Sequence, residues 1–576
     1  MKKRFAGILM CMMMLCMSLL AGCSLVERDY NRYYSQAVAV VEHKENGKTA
    51  QVTKRELIEG YQSYGYMYEQ SYGYTREEAL SLTLSMLENR KITLLEAEEK
   101  FGVSENGKNG LTSEEQTYLY DQVVDALSSN LDVYYNEVTG TTSSEEESED
   151  ITFEGYDKTA VLEFQNGQYV IKKTQTTEDP LADYKFDSSN PKNFFDSEDY
   201  KAIYENFREN ILGADEDYQK AFLEYARALR LSEYGQNLST DTPSLFDREI
   251  QRLYNLSYEN YMITKYSHSN RNSSDVSSIT TSDILNMYSS KVRADYTEYV
   301  LEGDSGYDED MQNSLNEMYY IRQDSDATKF FTIANVLFKF TDEQQEEYDA
   351  IMALSTDDGG LTSDQINQRL DRLYAQITPV VRTYNENTDI YEEVENHSYT
   401  ISYIYNIMSS ALSSAKATGN VNYIGDTIND FIYQYNEDTG MFNATNNYVI
   451  GIDSEGEVVS SFVDSFNEAA VALYDNGNGQ IGDISGFVRS EYGIHVLIYT
   501  GACENLFDSI NVSDKEALEK LYDTRVNILV DKTYFDVIYD EIYVDNYTYF
   551  ENNHMRYLRQ EYTITEYQGR YDDLLG

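Results

Sequence analysis

The stretch Ser461–Tyr499, SFVDSFNEAAVALYDNGNGQIGDISGFVRSEYGIHVLIY, constrains the chain more than any other. Apolar residues at helical spacing from Phe466 to Leu473 predict a short helix. The Gly/Asn run after it predicts a turn, and the remainder reads as two strands. In the second strand, Gly493 to Tyr499, alternation puts Ile494, Val496 and Ile498 on one face and His495, Leu497 and Tyr499 on the other. Both faces are largely apolar, and such a strand is stable only when covered on each side.

The amino terminus, MKKRFAGILMCMMMLCMSLLAGC, has a basic start (Lys2, Lys3, Arg4), an apolar core from Ile8 to Leu20 and a small-residue end. The apolar run is too short to span a bilayer, so residues 1–22 read as a signal peptide. Leu20-Ala21-Gly22-Cys23 resembles a bacterial lipobox. That resemblance implies lipidation of Cys23 and anchoring on the extracytoplasmic face of the cell membrane, as in a Gram-positive bacterium. Cys11 and Cys16 leave with the leader, so Cys503 is the one remaining free thiol. An internal disulfide and a cysteine-based metal site are therefore both excluded. Three of the 45 basic side chains also leave, so 42 remain against 100 acidic ones, a net charge of −58. Such a surface excludes nucleic-acid binding, which needs clustered cations. It serves solubility, and equally attracts cationic segments or divalent ions.

Further along, residues 23–35 read as a tether. Ala37–Glu42, Asn46-Gly47 and the residues after it read as a strand, a turn and a second short strand. Thr53-x-x-Glu56 and Thr75-x-x-Glu78 are capping boxes that open helices, the second helix stopping at Gly102. Residues 36–140 thus form a helical region. In 141–199 lie an acidic linker (GTTSSEEESED over 140–150) and an alternating segment around Asn166-Gly167 that predicts a hairpin. Residues 200–330 are mainly helical, with a polar break at 267–282. Ser513-x-x-Glu516 opens a last helical region within 506–576. Its apolar positions Leu518, Leu521, Val526, Leu529, Phe535, Ile538 and Ile542 keep approximate helical spacing. The tail from Tyr547 reads as polar and tyrosine-rich, with room for one more helix.

The order Phe-x-x-Ala-x-x-x-Leu, Gly-x-Ile, Val-x-Ser-x-x-Gly-x-His-Val in the opening stretch resembles the C-terminal half of a parvulin-type (PpiC) peptidyl-prolyl isomerase domain. Phe331-Thr-Ile-Ala-Asn-Val-Leu-Phe-Lys-Phe340 resembles its first strand, with Asn335 where the family has histidine. Residues 431–438 are similar to its Tyr-Ser-x-Asp segment and put Asp438 beside the substrate. Phe462 stands where methionine is usual, Phe466 keeps the family phenylalanine, and His495 keeps the second histidine. The domain would span 331–505, with a helical acidic insertion at about 341–423. Residues 36–103 resemble the N-terminal chaperone region of SurA-type and PrsA-type foldases.

The resemblance implies an α+β chain, in which a mainly helical chaperone lobe accompanies a parvulin-like domain with a small antiparallel sheet and helices. It implies an extracytoplasmic foldase that acts on unfolded or newly secreted polypeptides at X–Pro segments and needs no cofactor or metal. Asp438, Phe462, Phe466, His495 and Asn335 would form the catalytic site. In these relatives the helices flank the isomerase domain, so residues 512–545 are expected to pack back on the N-terminal helices. The alternatives are a holdase with an inactive parvulin fold and a lipid-tethered binding protein.

Other chemistry lacks a constellation. No phosphate loop, nucleophile elbow or His-Glu-x-x-His pattern occurs. His43, His268, His397 and His554 are far apart without ligand spacing and read as surface residues. Asp304–Asp310 only loosely resembles a calcium loop, since Gly306 is misplaced and the bidentate glutamate is missing. Fifty-five tyrosines against no tryptophan give broad aromatic contact, which serves either ordinary helix packing or a peptide-holding cradle.

Overall fold

The computed structural model describes residues 30–102, 110–140, 151–152, 160–173, 179–182, 184–192, 197–229, 242–271, 273–302, 306, 311, 328–354, 360–385, 390–442, 448–474, 478–503 and 514–575. The signal peptide, Cys23, the acidic run at 141–150, Ser513 and all of 304–310 except Gly306 lie outside the described residues. The architecture is α+β, with helices and small antiparallel sheets. Among the described residues no helix is long and apolar enough to cross a membrane.

Two compact units are present. The first is assembled from residues up to Glu147, Thr176–Ser277 and Asp545–Gly576. Strands Ala37–His43 and Thr49–Thr53 pair around the Asn46-Gly47 turn, where Gly47 takes φ +68°. Both threonine boxes form as capping boxes: Thr53 and Thr75 accept the backbone N–H of Glu56 and Glu78, whose carboxylates reach back. The helix Arg76–Phe101 lays Leu80, Leu84 and Leu87 against Val38 and Val52 of the strand pair and Leu57 of the helix Lys54–Gly60. Helices Ser113–Thr139, Glu216–Leu229 and Thr242–Arg271 close a second core through Leu119, Val123, Leu127, Phe246 and Ile250. Within the tail Tyr562–Glu566 forms a strand that pairs antiparallel with Ala37–His43, Ile564 opposite Val41. The helix expected within the tail is present as far as Glu561, in Tyr534–Glu561. The alternating Tyr-Thr-Ile-Thr-Glu run then completes the sheet edge with β-branched residues.

The second unit comprises Ser148–Gln175 and Ser278–Val544. Its hairpin Ala160–Gln165/Gln168–Lys173 turns through Asn166 and Gly167, both at positive φ (51° and 85°), as a two-residue turn requires. Leu162 of the hairpin shares a core with Ile284, Leu521, Phe535 and Ile538, so Asp514–Asp523 packs within this unit. The approximate helical spacing from Leu518 to Ile542 falls on two helices, Asp514–Asp523 and the one that starts at Tyr534, with residues 524–533 irregular between them. Thr533 and Asp536 exchange hydrogen bonds (2.7–3.3 Å) that cap a new helix from Tyr534, which satisfies its first free N–H groups.

The central sheet of this unit has five antiparallel strands: β1 (Lys329–Lys339), β2 (Tyr448–Ile452), β3 (Val458–Val459), β4 (Val488–Ser490) and β5 (Gly493–Ala502), in the order β3-β2-β1-β5-β4. Helices α1 (Ile401–Thr418) and α2 (Val421–Tyr435) cover one face, on which Ala334, Val336, Phe338, Ile494, Val496 and Ile498 are buried. Helix α3 (Asp464–Tyr474) covers the other, over Phe331, Ile333, Leu497 and Tyr499. The stretch 341–423 contributes helices Asp342–Ala353, Ser363–Tyr374 and α1, plus a hairpin, Arg382–Asn385 with Ile390–Glu393. Ile351, Leu373, Ile404 and Met408 from this stretch belong to the sheet's first core.

Candidate functional site

Among the described residues β2 pairs with β1 only along Lys329–Ile333, and none of them forms a strand against the edge of β1 beyond Asn335 on that side. The chain leaving α2 fills it. The Asn436 side chain accepts the Leu337 N–H (2.9 Å), and the Glu437 N–H donates to the Leu337 carbonyl (3.0 Å). Asn436 also accepts the Asp438 N–H and donates to the Asp438 carbonyl, while Arg382 donates to the Asn436 carbonyl (2.8 Å). A buried asparagine thus substitutes for a strand and delivers Asp438 to the sheet face covered by α3.

On that face Asn335 stands opposite Leu497, and His495 opposite Leu337, so Asn335 and His495 are diagonal neighbours. The Asn335 Nδ2 donates to the Asp438 carboxylate at 2.8 Å. His495 Nδ1 lies 3.1 Å from Asn335 Oδ1, and His495 Nε2 lies 2.6 Å from Ser490 Oγ. Because the Asn335 amide N–H groups face Asp438, its carbonyl oxygen must accept from His495. The neutral imidazole therefore carries its proton on Nδ1 and accepts at Nε2 from the Ser490 hydroxyl, which itself accepts the Tyr492 N–H (3.0 Å). Burial pushes the His495 imidazole down to about 4, against the opposing pull of the Asp438 charge. The chain of donors runs one way, from Tyr492 to Asp438. An amide side chain does not relay protons, so the network orients and polarises without moving a proton.

The aromatic part adjoins it. Phe466, 2% exposed, meets the edge of the His495 ring at 5.6 Å between centroids and stacks on Phe462 at 4.8 Å. Asn467 donates to the Phe462 carbonyl (2.8 Å) and fixes that backbone at the start of α3. Tyr448 from β2 places its ring 4.7 Å from Phe462 and donates its hydroxyl to Asp438 at 2.7 Å. Burial first, then the hydrogen bond to Asp438 and its charge, push the Tyr448 phenol far up. Asn335, His495 and Phe466 are buried, whereas Asp438, Tyr448 and Phe462 are half-buried and form the approachable rim.

Asn335, Asp438, Phe462, Phe466 and His495 therefore meet in one place, although their positions span residues 335 to 495. Cys23 lies outside the described residues. Sequence reasoning missed Tyr448, Ser490 and Asn436. Ser490 was findable as the other arm of the tight turn before Gly493, but Tyr448 and Asn436 carry no local signal. A surface depression of about 500 Å³, lined by Tyr403, Ile407, Ser410 and Ser414, lies on α1, the helix over the opposite sheet face, and none of these residues borders it.

One grouping of histidine and carboxylates was not legible from spacing. His43, Glu96 and Glu561 bring their ligand-type atoms within 4.8 Å of one another. His43 Nδ1 accepts the N–H groups of Glu45 and Asn46 (3.2 and 3.3 Å). The neutral ring then holds its proton on Nε2 and offers no second lone pair to an ion. Glu96 in turn accepts the Tyr562 hydroxyl at 2.8 Å. The Lys44 N–H donates to the Glu561 carbonyl (2.9 Å), so the grouping sits where the first strand meets the tail.

No model of a known protein family matches the chain, and no curated protein matches its sequence.

Proposed function

We propose that the chain is a membrane-anchored extracytoplasmic foldase whose central-sheet domain is a divergent parvulin-type peptidyl-prolyl isomerase. The observation that carries this reading is the meeting of Asp438, Phe462 and Phe466 over the hydrogen-bonded pair His495–Asn335. The reaction it would serve is rotation about an X–Pro bond, whose barrier is roughly 18–20 kcal/mol. No bond is made or broken, so a site that transfers no proton suits it. Phe462 and Tyr448 grip the proline ring, and Asp438 favours the twisted amide over the planar one by differential binding. Asn335 and His495 hold Asp438 in register from beneath. The test is the rate of cis–trans exchange in a short X–Pro peptide with the full chain, beside Asp438→Asn and Phe462→Ala. Acceleration that falls at least about tenfold in both variants is expected. Absence of acceleration in the parent overturns the enzymatic reading.

A second reading, a holdase on a retired isomerase fold, draws on Tyr448. Its hydroxyl occupies Asp438 and its ring covers Phe462, so the rim is already partly filled. Suppression of aggregation of an unfolded client without X–Pro acceleration is the outcome specific to it.

A further inference from the structure

Away from this site, the first unit exposes an unusual surface between its second strand and its long helix. The segment runs Lys54–Gly60 as α-helix, Tyr61–Gly65 as a π-helical turn and Tyr66–Tyr72 as α-helix again, ending at Gly73 with φ 71°. The π turn is built around Gly65. A Cβ there would strike the Tyr61 ring, which lies flat on the backbone with its hydroxyl on Glu69. Gly60 meets Thr83 and Leu87 of the long helix in the same way, so the glycines face inward. The large side chains are turned out. Tyr64, Tyr66, Met67, Tyr72, Tyr74 and Leu82 are all exposed, Tyr66 to 59% and Tyr72 to 65%. Aromatic side chains left in water at this density are characteristic of interaction surfaces, and π turns recur at functional positions.

Charge selects the occupant. Between residues 54 and 82 stand Glu56, Glu59, Glu69, Glu77 and Glu78 against Lys54, Arg55 and Arg76. Lys54 is buried against Asp573, Arg55 lies over the Tyr34 ring and Arg76 over the Tyr61 ring, while Glu56 is paired with Lys91 (2.6 Å), so the carboxylates still outnumber the cations among the exposed tyrosines. A second copy of this chain, itself strongly acidic, is repelled. We propose that this tyrosine surface binds extended polypeptide segments that carry lysine or arginine interspersed with apolar residues. Tyrosine faces attract the cations and the apolar stems of such side chains, and the surrounding carboxylates strengthen the attraction. The proposal deepens the foldase reading, on which it rests for the class of partner, by naming the client-binding surface and the clients' charge.

The test uses the full chain and two dye-labelled unstructured peptides of equal apolar content, one rich in lysine and one rich in glutamate, read by fluorescence anisotropy. Binding of the lysine peptide is expected to be more than about tenfold tighter than that of the glutamate peptide. It is expected to weaken as salt rises from about 0.05 M to about 0.5 M. The triple variant Tyr66→Ser, Tyr72→Ser, Tyr74→Ser should lose at least about tenfold in affinity. Tyr549→Ser with Tyr557→Ser, exposed elsewhere in the same unit, should lose nothing. Equal affinities for the two peptides, or an unchanged triple variant, overturn the proposal. So does a concentration-dependent dimer that the triple variant abolishes and the lysine peptide does not compete. Asp438→Asn separates the two readings: loss of X–Pro acceleration with lysine-peptide binding intact locates the surface apart from the isomerase site. As a check that does not rely on the triple variant folding, Glu69→Gln with Glu77→Gln should weaken only the lysine peptide. An unchanged lysine-peptide affinity in that pair counts against the proposal.

Discussion

His495 Nδ1 and Asn335 Oδ1 lie 3.1 Å apart on neighbouring antiparallel strands, both buried, and Asp438 closes the line at the Asn335 Nδ2. The pair is diagonal in the register, which turns the imidazole and the amide toward each other beneath α3.

Protonating His495 must cost stability. Its value falls from 6.5 unfolded to about 4 folded, because burial disfavours the cation. Between those values the unfolded chain binds more protons, so this contribution is intact above pH 6.5 and is lost as pH falls toward 4. At full extent it amounts to about 3 kcal/mol. Denaturant unfolding of the parent and His495→Gln at pH 7 and pH 4.5 should show the parent losing its advantage at the lower pH. A pH-independent difference would refute it.

Glu437 gives the opposite sign. Burial raises its carboxyl from 4.5 to about 7, against the backbone N–H groups of Lys339 and Val380 and the charge of Arg382. Its contribution is fully present below pH 4.5 and is lost as pH rises through 7. Glu437→Gln should therefore stabilise the protein relative to the parent at pH 8 by up to about 3 kcal/mol, and by less at pH 5. Thermal melts at the two pH values decide it.

Tyr448→Phe removes one of the donors to Asp438 while the Asn335 and Gly440 N–H groups remain. A loss of only about 1 kcal/mol in denaturant unfolding is expected. X–Pro acceleration should persist in this variant, because the ring that grips the proline is kept and Asp438 retains its other donors.

Phe466→Ala combines lost burial with a cavity under α3, and should cost about 3–5 kcal/mol. Its activity is therefore interpretable only beside Phe462→Ala at the half-buried rim, which should cost less. The comparison requires unfolding curves for both.

Gly425→Ala tests packing remote from the site. A Cβ at this helical position runs into the Ile528 carbonyl, so α2 approaches the 524–533 segment as closely as it does only because the side chain is missing. Overpacking of this kind costs about 1–3 kcal/mol. A neutral result in an unfolding experiment would show that the segment yields.

What the sequence determined alone is what depends on near neighbours. Thr53–Glu56 and Thr75–Glu78 close hydrogen bonds within one helical turn, and Asn166-Gly167 adopts positive φ because its own residues tolerate it. The two faces of β5 follow from the two-residue period of any strand. Tertiary structure decided what depends on distant chain. Tyr562–Glu566 alternates β-branched residues, but it became a strand only because Ala37–His43 offered an edge. Asn436 became a surrogate strand because β2 stops short of Asn335, and only that brings Asp438 to the site. Tyr448 reached Asp438 through the pairing of β2 with β1 together with the Asn436 contacts, and His43 came beside Glu561 through its pairing with Tyr562. Hydrogen-bond partners far apart in sequence leave no periodicity to read, because neither residue's own neighbours record which distant group will satisfy it.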